Sequence, residues 1–394
     1  MPFSNASHMT CGTMSVRRLP LILAMLAPLP LLAGCGSGTS DGPPPPSAEA
    51  QAAIRNGGGA PRESLARTVD RLFDEEKVGK TDALVVFKRG SVIVERYGAG
   101  IKRESRLPGW SAGQCVTALM IGQLVSDGRL RLGESVPVPE WQRPGDPRGV
   151  ITLKQLLQMR SGLRHVEMTG AGAGTVEGES DRMRMLFLDG RDDMASYAEA
   201  QPLEAPAGKV FEHSSASAVI LSDLAARVLS PDRDPMRRQV AVNEYLRNRV
   251  LAPIGLGSAI VGYDRAGTMI GSGMIAMTAR EWGNLGEFLR HTGSVGGAQI
   301  LPRRWVQFML ESSPREPGYG AGVWLNRGEA GDGARLWPGS AGKNVFACLG
   351  DYGQFVIGSP DQLLTVVRIG HSDPAQEREA HDQLGELLAL FPKN

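Results

Sequence analysis

The chain has 394 residues, a formal net charge of +1, 42% hydrophobic residues and 22% charged residues, which is the composition of a globular protein with one large domain or two lobes. The near-neutral charge balance, without a basic stripe, gives no indication of nucleic-acid binding. Only six histidines are present and no Cys/His pair has ligand spacing, so we predict neither a metal site nor a cofactor.

The N-terminus, residues 1–34, has the pattern of a lipoprotein signal peptide. Arg17 and Arg18 precede a short apolar core broken by prolines, and the segment ends in LAGC, which is similar to a bacterial lipobox with Cys35 as the lipidated first residue. The alternatives are a plain signal peptide or a short membrane anchor, although the core is short for a spanning helix of about 20 residues. We expect a lipid-anchored protein of the bacterial cell envelope that faces the periplasm, and Gly36 favours the outer membrane.

Residues 35–61 are rich in glycine, serine and proline and predict a flexible linker, with the folded domain over residues 62–394. Two β-rich runs, joined at Arg89-Gly90 in ALVVFKRGSVIVERYG, predict a hairpin. Before them, apolar residues recur on one helical face: Leu65, Val69, Leu72 and Phe73.

The middle of the domain, about residues 111–292, is predicted to be a mostly helical lobe. Thr152 and Thr278 each stand before an amphipathic segment as a helix cap. After Tyr319 four short strand-like runs follow, and a helix over about 375–391 ends the chain. Strands at both ends with a helical insert predict an α+β fold, in which N- and C-terminal segments build one antiparallel sheet flanked by helices.

Ser111 lies just before the long apolar run of LPGWSAGQCVTALMIGQLV, where its hydroxyl can meet a substrate. A serine hydroxyl is a weak nucleophile until a base removes its proton during attack. One helical turn further on, many serine hydrolases carry a lysine for this purpose, but here the residue is Gln114. Glutamine cannot accept a proton near neutral pH.

Several stretches, in order, resemble those of one superfamily: FKRGSVIVERYGAG, GWSAGQCVTALMIGQLVSDGRLRLGESV, ITLKQLLQMRSGL, PAGKVFEHSS, GGAQILPRRW and GYGAGVWLN followed by GQFVIGSPDQLLTVVRIG. From about residue 82 to residue 370 the chain is similar to the serine β-lactamase/penicillin-binding-protein superfamily, in the branch of class C enzymes, esterases and 6-aminohexanoate-dimer hydrolases. The resemblance implies a β-lactamase/transpeptidase-like fold and ester or amide hydrolysis through an acyl-serine.

The residues at the three motifs of that superfamily depart from its pattern. Gln114 replaces the lysine of Ser-x-x-Lys, His213 stands where this branch usually has tyrosine, and Asp351 stands where related sequences carry histidine. An offset of one in the third motif would put Tyr352 there instead.

Two hypotheses follow from these replacements. In the first, Ser111, His213 and Asp351 form a rewired triad in which His213 accepts the proton and Asp351 holds the imidazole, while Gln114 orients the hydroxyl or a water. Imidazole is shorter than phenol, so His213 would need a bridging water or a backbone shift to reach Ser111. In the second, the chain is an inactive pseudoenzyme that binds cell-wall fragments, small amides or a protein partner. Turnover of β-lactams is the less favoured form of the first hypothesis.

The remaining candidates have two interpretations each. Cys115 and Cys348 are either two small buried residues or a disulfide, since both flank motifs that the resemblance brings together. His165 and Glu167 either face the cleft or lie on a solvated loop. The predicted substrate contacts, some of which could instead be packing residues, are Trp110, Ser215, Tyr319, Tyr352 and Gly353.

Overall fold

The computed structural model describes residues 44–168, 180–329 and 335–393. The predicted signal peptide, the lipidation site Cys35 and the first part of the predicted linker lie outside these residues. Within the described ranges, no helix is long and apolar enough to cross a membrane. The elements below all belong to one compact unit, Pro45–Asn394.

Helices supply most of the middle of the chain and cover both faces of the main sheet. The α-helices are α1 Ala48–Ala53, α2 Arg62–Arg71, α3 Glu75–Val78, α4 Gln114–Ser126, α5 Leu153–Leu157, α6 Asp181–Phe187, α7 Met194–Glu199, α8 Ser215–Leu229, α9 Pro235–Leu246, α10 Ala252–Ile254, α11 Ala279–Arg290, α12 Arg303–Met309 and α13 Pro374–Ala389. Short 3-10 turns cover Trp110–Gly113, Pro139–Gln142 and Pro147–Val150, and a π-helical turn covers Arg247–Leu251.

Strands come from both ends of the domain, with short pairs inside the lobe. They are β1 Lys80–Lys88, β2 Ser91–Tyr97, β3 Leu107–Pro108, β4 Ile260–Val261, β5 Ile275–Met277, β6 Ser294–Val295, β7 Ala298–Gln299, β8 Trp324–Leu325, β9 Phe346–Gly350, β10 Gln354–Ser359 and β11 Leu364–His371.

The main sheet has six strands in the order β2-β1-β11-β10-β9-β8, and its pairs are antiparallel. The N-terminal hairpin joins the C-terminal strands where β1 pairs with β11, with Val85 opposite Val367. The prediction of one antiparallel sheet built from both ends of the chain is confirmed.

Alternation along the strands divides the interior into two cores. On β1, Val85 and Phe87 belong to the larger core, which lies between the sheet and the helical lobe, whereas Leu84 and Val86 face a second core with α1, α2 and α13. Successive side chains of a strand point to opposite faces, so a central strand with both faces covered is apolar along its whole length. This explains the run ALVVF.

Both predicted helix caps are present. The Thr152 side chain accepts from the backbone N–H of Gln155, and the Thr278 side chain accepts from that of Glu281. Gln155 and Glu281 each reach back to the backbone of the cap, which completes a capping box. The final helix is also confirmed, as Pro374–Ala389.

The predicted linker ends earlier than residue 61, because α1 lies inside it. Ser47 caps this helix and bonds to Asp70 on α2, and Ala50, Ala53 and Ile54 are buried in the second core. A six-residue helix gains most of its stability from tertiary packing rather than from propensity. The linker composition therefore gave no indication of it, and the prediction was wrong for this part of the segment.

We predict that Ile54→Ala lowers the free energy of unfolding by about 2–4 kcal/mol, because it leaves a cavity in the second core. Urea unfolding measures the change. The matched control is Glu49→Ala on the exposed side of α1, where we expect almost none. Equal effects of the two substitutions would contradict the burial of α1 against the sheet.

Candidate active site

Ser111 lies in the 3-10 turn Trp110–Gly113, which continues directly into α4. The preceding residue, Trp110, has a φ of +47°, a left-handed conformation that is costly for a bulky side chain. Gly109 is required on steric grounds, because a Cβ there would lie 2.2 Å from the ring of Trp282. The turn is therefore a tightly packed and strained place for the serine.

The Ser111 hydroxyl donates a hydrogen bond of 3.0 Å to Oδ2 of Asp351, which follows β9. Asp351 also accepts two hydrogen bonds from Arg182 on α6, 2.7 Å from Nη1 to Oδ1 and 2.8 Å from Nη2 to Oδ2. This is the bidentate fork that matches guanidinium to carboxylate geometry. Asp351 thus reaches the serine, and an arginine holds it there.

The surroundings of Asp351 keep it ionised. Burial by itself raises the pKa of this carboxyl, but the hydrogen bonds and charge of Arg182, with the Ser111 hydroxyl, outweigh burial and hold the pKa below its ordinary value. An Asp351 held in this way is a weak base at neutral pH, since a general base works best with a pKa near the operating pH.

The side chain of Gln114, one turn after Ser111, makes no hydrogen bond to the Ser111 hydroxyl among the described residues. Its side chain is only 4% exposed, and its Nε2 has no hydrogen-bond partner among the described residues. The structure therefore gives no support to the predicted role of Gln114 in orienting the hydroxyl.

His213 lies among aromatic rings and not in a triad. Its ring is 5.9 Å from Tyr319 and 5.4 Å from Trp324 between centroids, and within the described ranges it donates and accepts no hydrogen bond. Burial lowers the pKa of His213, although the charge of Glu167 opposes this. The prediction that Asp351 holds the His213 imidazole is wrong, because both carboxylate oxygens of Asp351 accept hydrogen bonds from Arg182.

Glu167 forms a second carboxylate centre beside the first. It contacts Nε2 of His165 at 2.7 Å, and accepts from the backbone N–H of Ser215 at 2.7 Å and from the Ser215 hydroxyl at 2.5 Å. Nε of Arg182 is 3.7 Å from Glu167, so this arginine lies between two carboxylates. The sequence marked His165 and Glu167 without deciding their role, and no sequence signal marked Arg182.

The ionisation of Glu167 follows from these contacts. Burial raises the pKa of Glu167, but the hydrogen bond from His165, the charges of His213 and His165 and the bond from Ser215 lower the pKa to about 2. The backbone N–H at the start of α8 contributes, because the N-terminus of a helix favours negative charge.

Three of the predicted substrate contacts are structural instead. Ser215 is fully buried and bonded to Glu167, Tyr319 is 1% exposed, and Gly353 is buried, with its carbonyl accepting from Arg368. The predicted substrate contacts at these three residues are therefore wrong, because the residues are buried inside the protein. Trp110 and Tyr352 remain as candidate contacts, since their rings meet edge to face at 5.5 Å and Tyr352 is 41% exposed.

A disulfide between Cys115 and Cys348 joins α4 to β9. Of the two interpretations, the disulfide is the one present. It lies next to Gln114 on one side and two residues before Gly350 on the other. A Cβ at Gly350 would be 2.0 Å from the carbonyl oxygen of Gly109, so the strand backbone also touches the serine turn. The two halves of the site are held together covalently and by packing.

Similarity to known proteins identifies the family. The model of the Beta-lactamase family matches residues 67–390. The chain belongs to the β-lactamase family. The predicted superfamily and fold are confirmed, and the coarse class is that of serine hydrolases with this fold, which includes esterases and amidases.

Individual relatives of this β-lactamase family protein are distant. The 6-aminohexanoate-dimer hydrolase of Paenarthrobacter ureafaciens is 23% identical over 257 residues, which are 64% of this chain and 63% of that protein, so the match spans less than two thirds of the relative's length.

Solved structures show the same fold at still lower identity. A protein of Bacillus anthracis assigned as a 6-aminohexanoate-dimer hydrolase has a TM-score of 0.62 at 19% identity, with 80% of each chain covered. A penicillin-binding-protein homologue of Caulobacter crescentus has a TM-score of 0.54 at 16% identity, covering 83% of this chain and 98% of its own.

We predict that peptide mapping without reductant finds Cys115 and Cys348 in one linked peptide pair. The free energy of unfolding of the variant Cys115→Ala/Cys348→Ala should be about 2–4 kcal/mol lower than that of the wild type, because the cross-link restricts the unfolded chain. Urea unfolding measures this difference. Two freely alkylated cysteines in the folded wild type would contradict the bond.

We also predict that Glu167→Gln lowers the free energy of unfolding at pH 7 by at most about 3 kcal/mol, since the pKa of Glu167 falls from 4.5 to about 2 on folding and part of this fall depends on a charged His213. The stabilisation from a lowered carboxyl pKa is complete above the unfolded value and is lost as the pH falls through the folded value. The gap between wild type and variant should therefore shrink from about pH 4.5 towards about pH 2.

Urea unfolding across this pH range measures the gap. The control is the exposed residue Glu76, for which Glu76→Gln should leave the pH dependence unchanged. A gap for Glu167→Gln that stays constant with pH would show that its charge is not what stabilises the site.

Proposed function

We propose that this β-lactamase family protein binds a ligand in the cleft beside Ser111 without turning it over. One observation carries the proposal: the carboxylate within reach of the Ser111 hydroxyl is Asp351, and it is held by Arg182. The other candidate bases do not replace it. Gln114 has no basicity, and His213 makes no hydrogen bond among the described residues.

The size of the loss follows from the chemistry of the missing step. General-base catalysis contributes roughly 10²–10⁴-fold to such reactions. Each unit by which a pKa is lowered weakens a base by about 1.4 kcal/mol. Asp351 has a lowered pKa, so it accepts the hydrogen bond of Ser111 but holds the transferred proton poorly.

The ligand that we propose is a small amide or ester or a fragment derived from the cell wall. Trp110 and the exposed ring of Tyr352 offer apolar surface near the serine, and the neighbouring carboxylates and guanidinium offer polar contacts. The Paenarthrobacter relative is named a 6-aminohexanoate-dimer hydrolase, and this name supports a linear amide as the first compound to test. A protein partner is the alternative occupant of the cleft.

The proposed place of action is the bacterial cell envelope, facing the periplasm. Cys35 would carry the lipid anchor, in the outer membrane by the preference that Gly36 indicates. The charge of the chain supports no interaction with nucleic acid.

The second candidate function is hydrolysis of an ester or amide through an acyl-Ser111 intermediate. It is favoured by the strained turn, since residues held in left-handed conformations cluster at active sites. It is also favoured by the hydrogen bond from Ser111 to a carboxylate. His213 would then act through a water.

We predict that a fluorophosphonate labels the wild type in no more than trace amounts between about pH 5.5 and about pH 9, because among the described residues the carboxylate that contacts Ser111 is paired with Arg182. Intact mass measures the labelled fraction. The control variants are Ser111→Ala, which reports labelling elsewhere, and His213→Ala. Stoichiometric labelling that disappears in both variants and rises with a near-neutral pKa would overturn the binding proposal and establish the hydrolase.

A further inference from the structure

Arg182 is the second residue of α6, and its guanidinium lies between two carboxylates. It forms the bidentate pair with Asp351, while its Nε is 3.7 Å from Oε1 of Glu167. Ser180 caps the helix by accepting from the backbone N–H of Met183, which fixes the start of α6. The side chain of Arg182 is 15% exposed, so its charge is poorly screened by water.

Arg182 and Ser111 share one acceptor atom. Oδ2 of Asp351 accepts from Nη2 of Arg182 at 2.8 Å and from the Ser111 hydroxyl at 3.0 Å. The carboxylate is therefore within general-base reach of the serine, in the orientation that proton transfer requires. What it lacks is affinity for the proton, because the guanidinium favours the charged form of the acid.

We propose that Arg182 restrains Asp351 and thereby keeps Ser111 unreactive, so that breaking this ion pair makes Asp351 the general base of Ser111. The inference rests on the proposed function, in which the wild-type serine is inactive. It assigns the inactivity to one positioning residue rather than to the loss of the motif lysine alone.

Removing Arg182 changes the electrostatics at Asp351 in one direction. The effect of burial, which disfavours the charged carboxylate, is then no longer opposed by the guanidinium. The same guanidinium no longer neutralises Glu167, so the negative charge of Glu167 also disfavours the charged form of Asp351. Both effects raise the pKa of Asp351 towards neutral pH. Among the described residues, His213 and, on α13, Glu377 also interact electrostatically with Asp351, and Tyr352 follows it in the chain.

Once the ion pair between Arg182 and Asp351 is broken, we propose that Ser111 reacts with a fluorophosphonate probe by substitution at phosphorus. Oγ of Ser111 attacks phosphorus, the O–P bond forms, and the P–F bond breaks with loss of fluoride. The hydroxyl proton passes to the Asp351 carboxylate and from there to solvent. No oxidant, metal or other co-reactant is needed.

The test compares labelling rates of the purified protein by intact mass. We expect Arg182→Met to label at Ser111 at least about 10-fold faster than wild type, in line with the contribution of a general base. The rate should rise with ionisation of a carboxyl group and then level off. The double variant Arg182→Met/Asp351→Asn should return to the wild-type rate, since the amide cannot accept the proton.

The matched control is Arg184→Met. Arg184 is on the same helix and pairs with the exposed Asp189, so its removal also deletes an arginine–aspartate pair but leaves Asp351 untouched. Its labelling should equal that of wild type. A folded Arg182→Met that labels no faster than Arg184→Met, or a double variant that labels as fast as Arg182→Met, overturns the inference.

Folding is checked by thermal unfolding of each variant. If Arg182→Met does not fold, Arg182→Gln replaces it, because glutamine also removes the positive charge but keeps a polar side chain. We expect a similar rise in rate, and no rise in a folded Arg182→Gln overturns the inference. Stoichiometric labelling of the wild type would instead refute the proposed function, so the two failures are distinguishable.

Discussion

The connection between the serine turn and β9 is the constraint on which the rest of the site depends. The Cys115–Cys348 disulfide joins the helix after Ser111 to the strand before Asp351, and the backbones of Gly109 and Gly350 pack in contact. Because these two elements cannot separate, the Ser111 hydroxyl meets the Asp351 carboxylate directly. Every interpretation of the cleft begins from that hydrogen bond.

Charge then decides what the hydrogen bond can do. Arg182 lies between Asp351 and Glu167, and Glu167 is held by His165 and by the start of α8. The carboxylates are stabilised as anions, which suits binding and structural rigidity better than proton transfer. A family fold that elsewhere supports acyl transfer is here arranged around a neutralised ion pair.

Much of the fold was predictable because local sequence patterns indicate it. The two β-rich runs of ALVVFKRGSVIVERYG predicted the hairpin, and Thr152 and Thr278 predicted two helix starts by their capping chemistry. Helix α1 was missed, because its stability comes from burial of Ala50 and Ile54 against distant strands. Short helices of this kind have no periodicity that a sequence can show.

The sequence by itself determined the family, one antiparallel sheet built from both ends of the chain and the place of Ser111 just before α4. Only the tertiary structure decided the partners of Asp351. Ser111, Arg182 and Asp351 are far apart in the chain, and an ion pair depends on distance and burial, which no local pattern encodes. His213 lies among aromatic rings, and the carboxylate that a triad would have given it is bonded to Arg182.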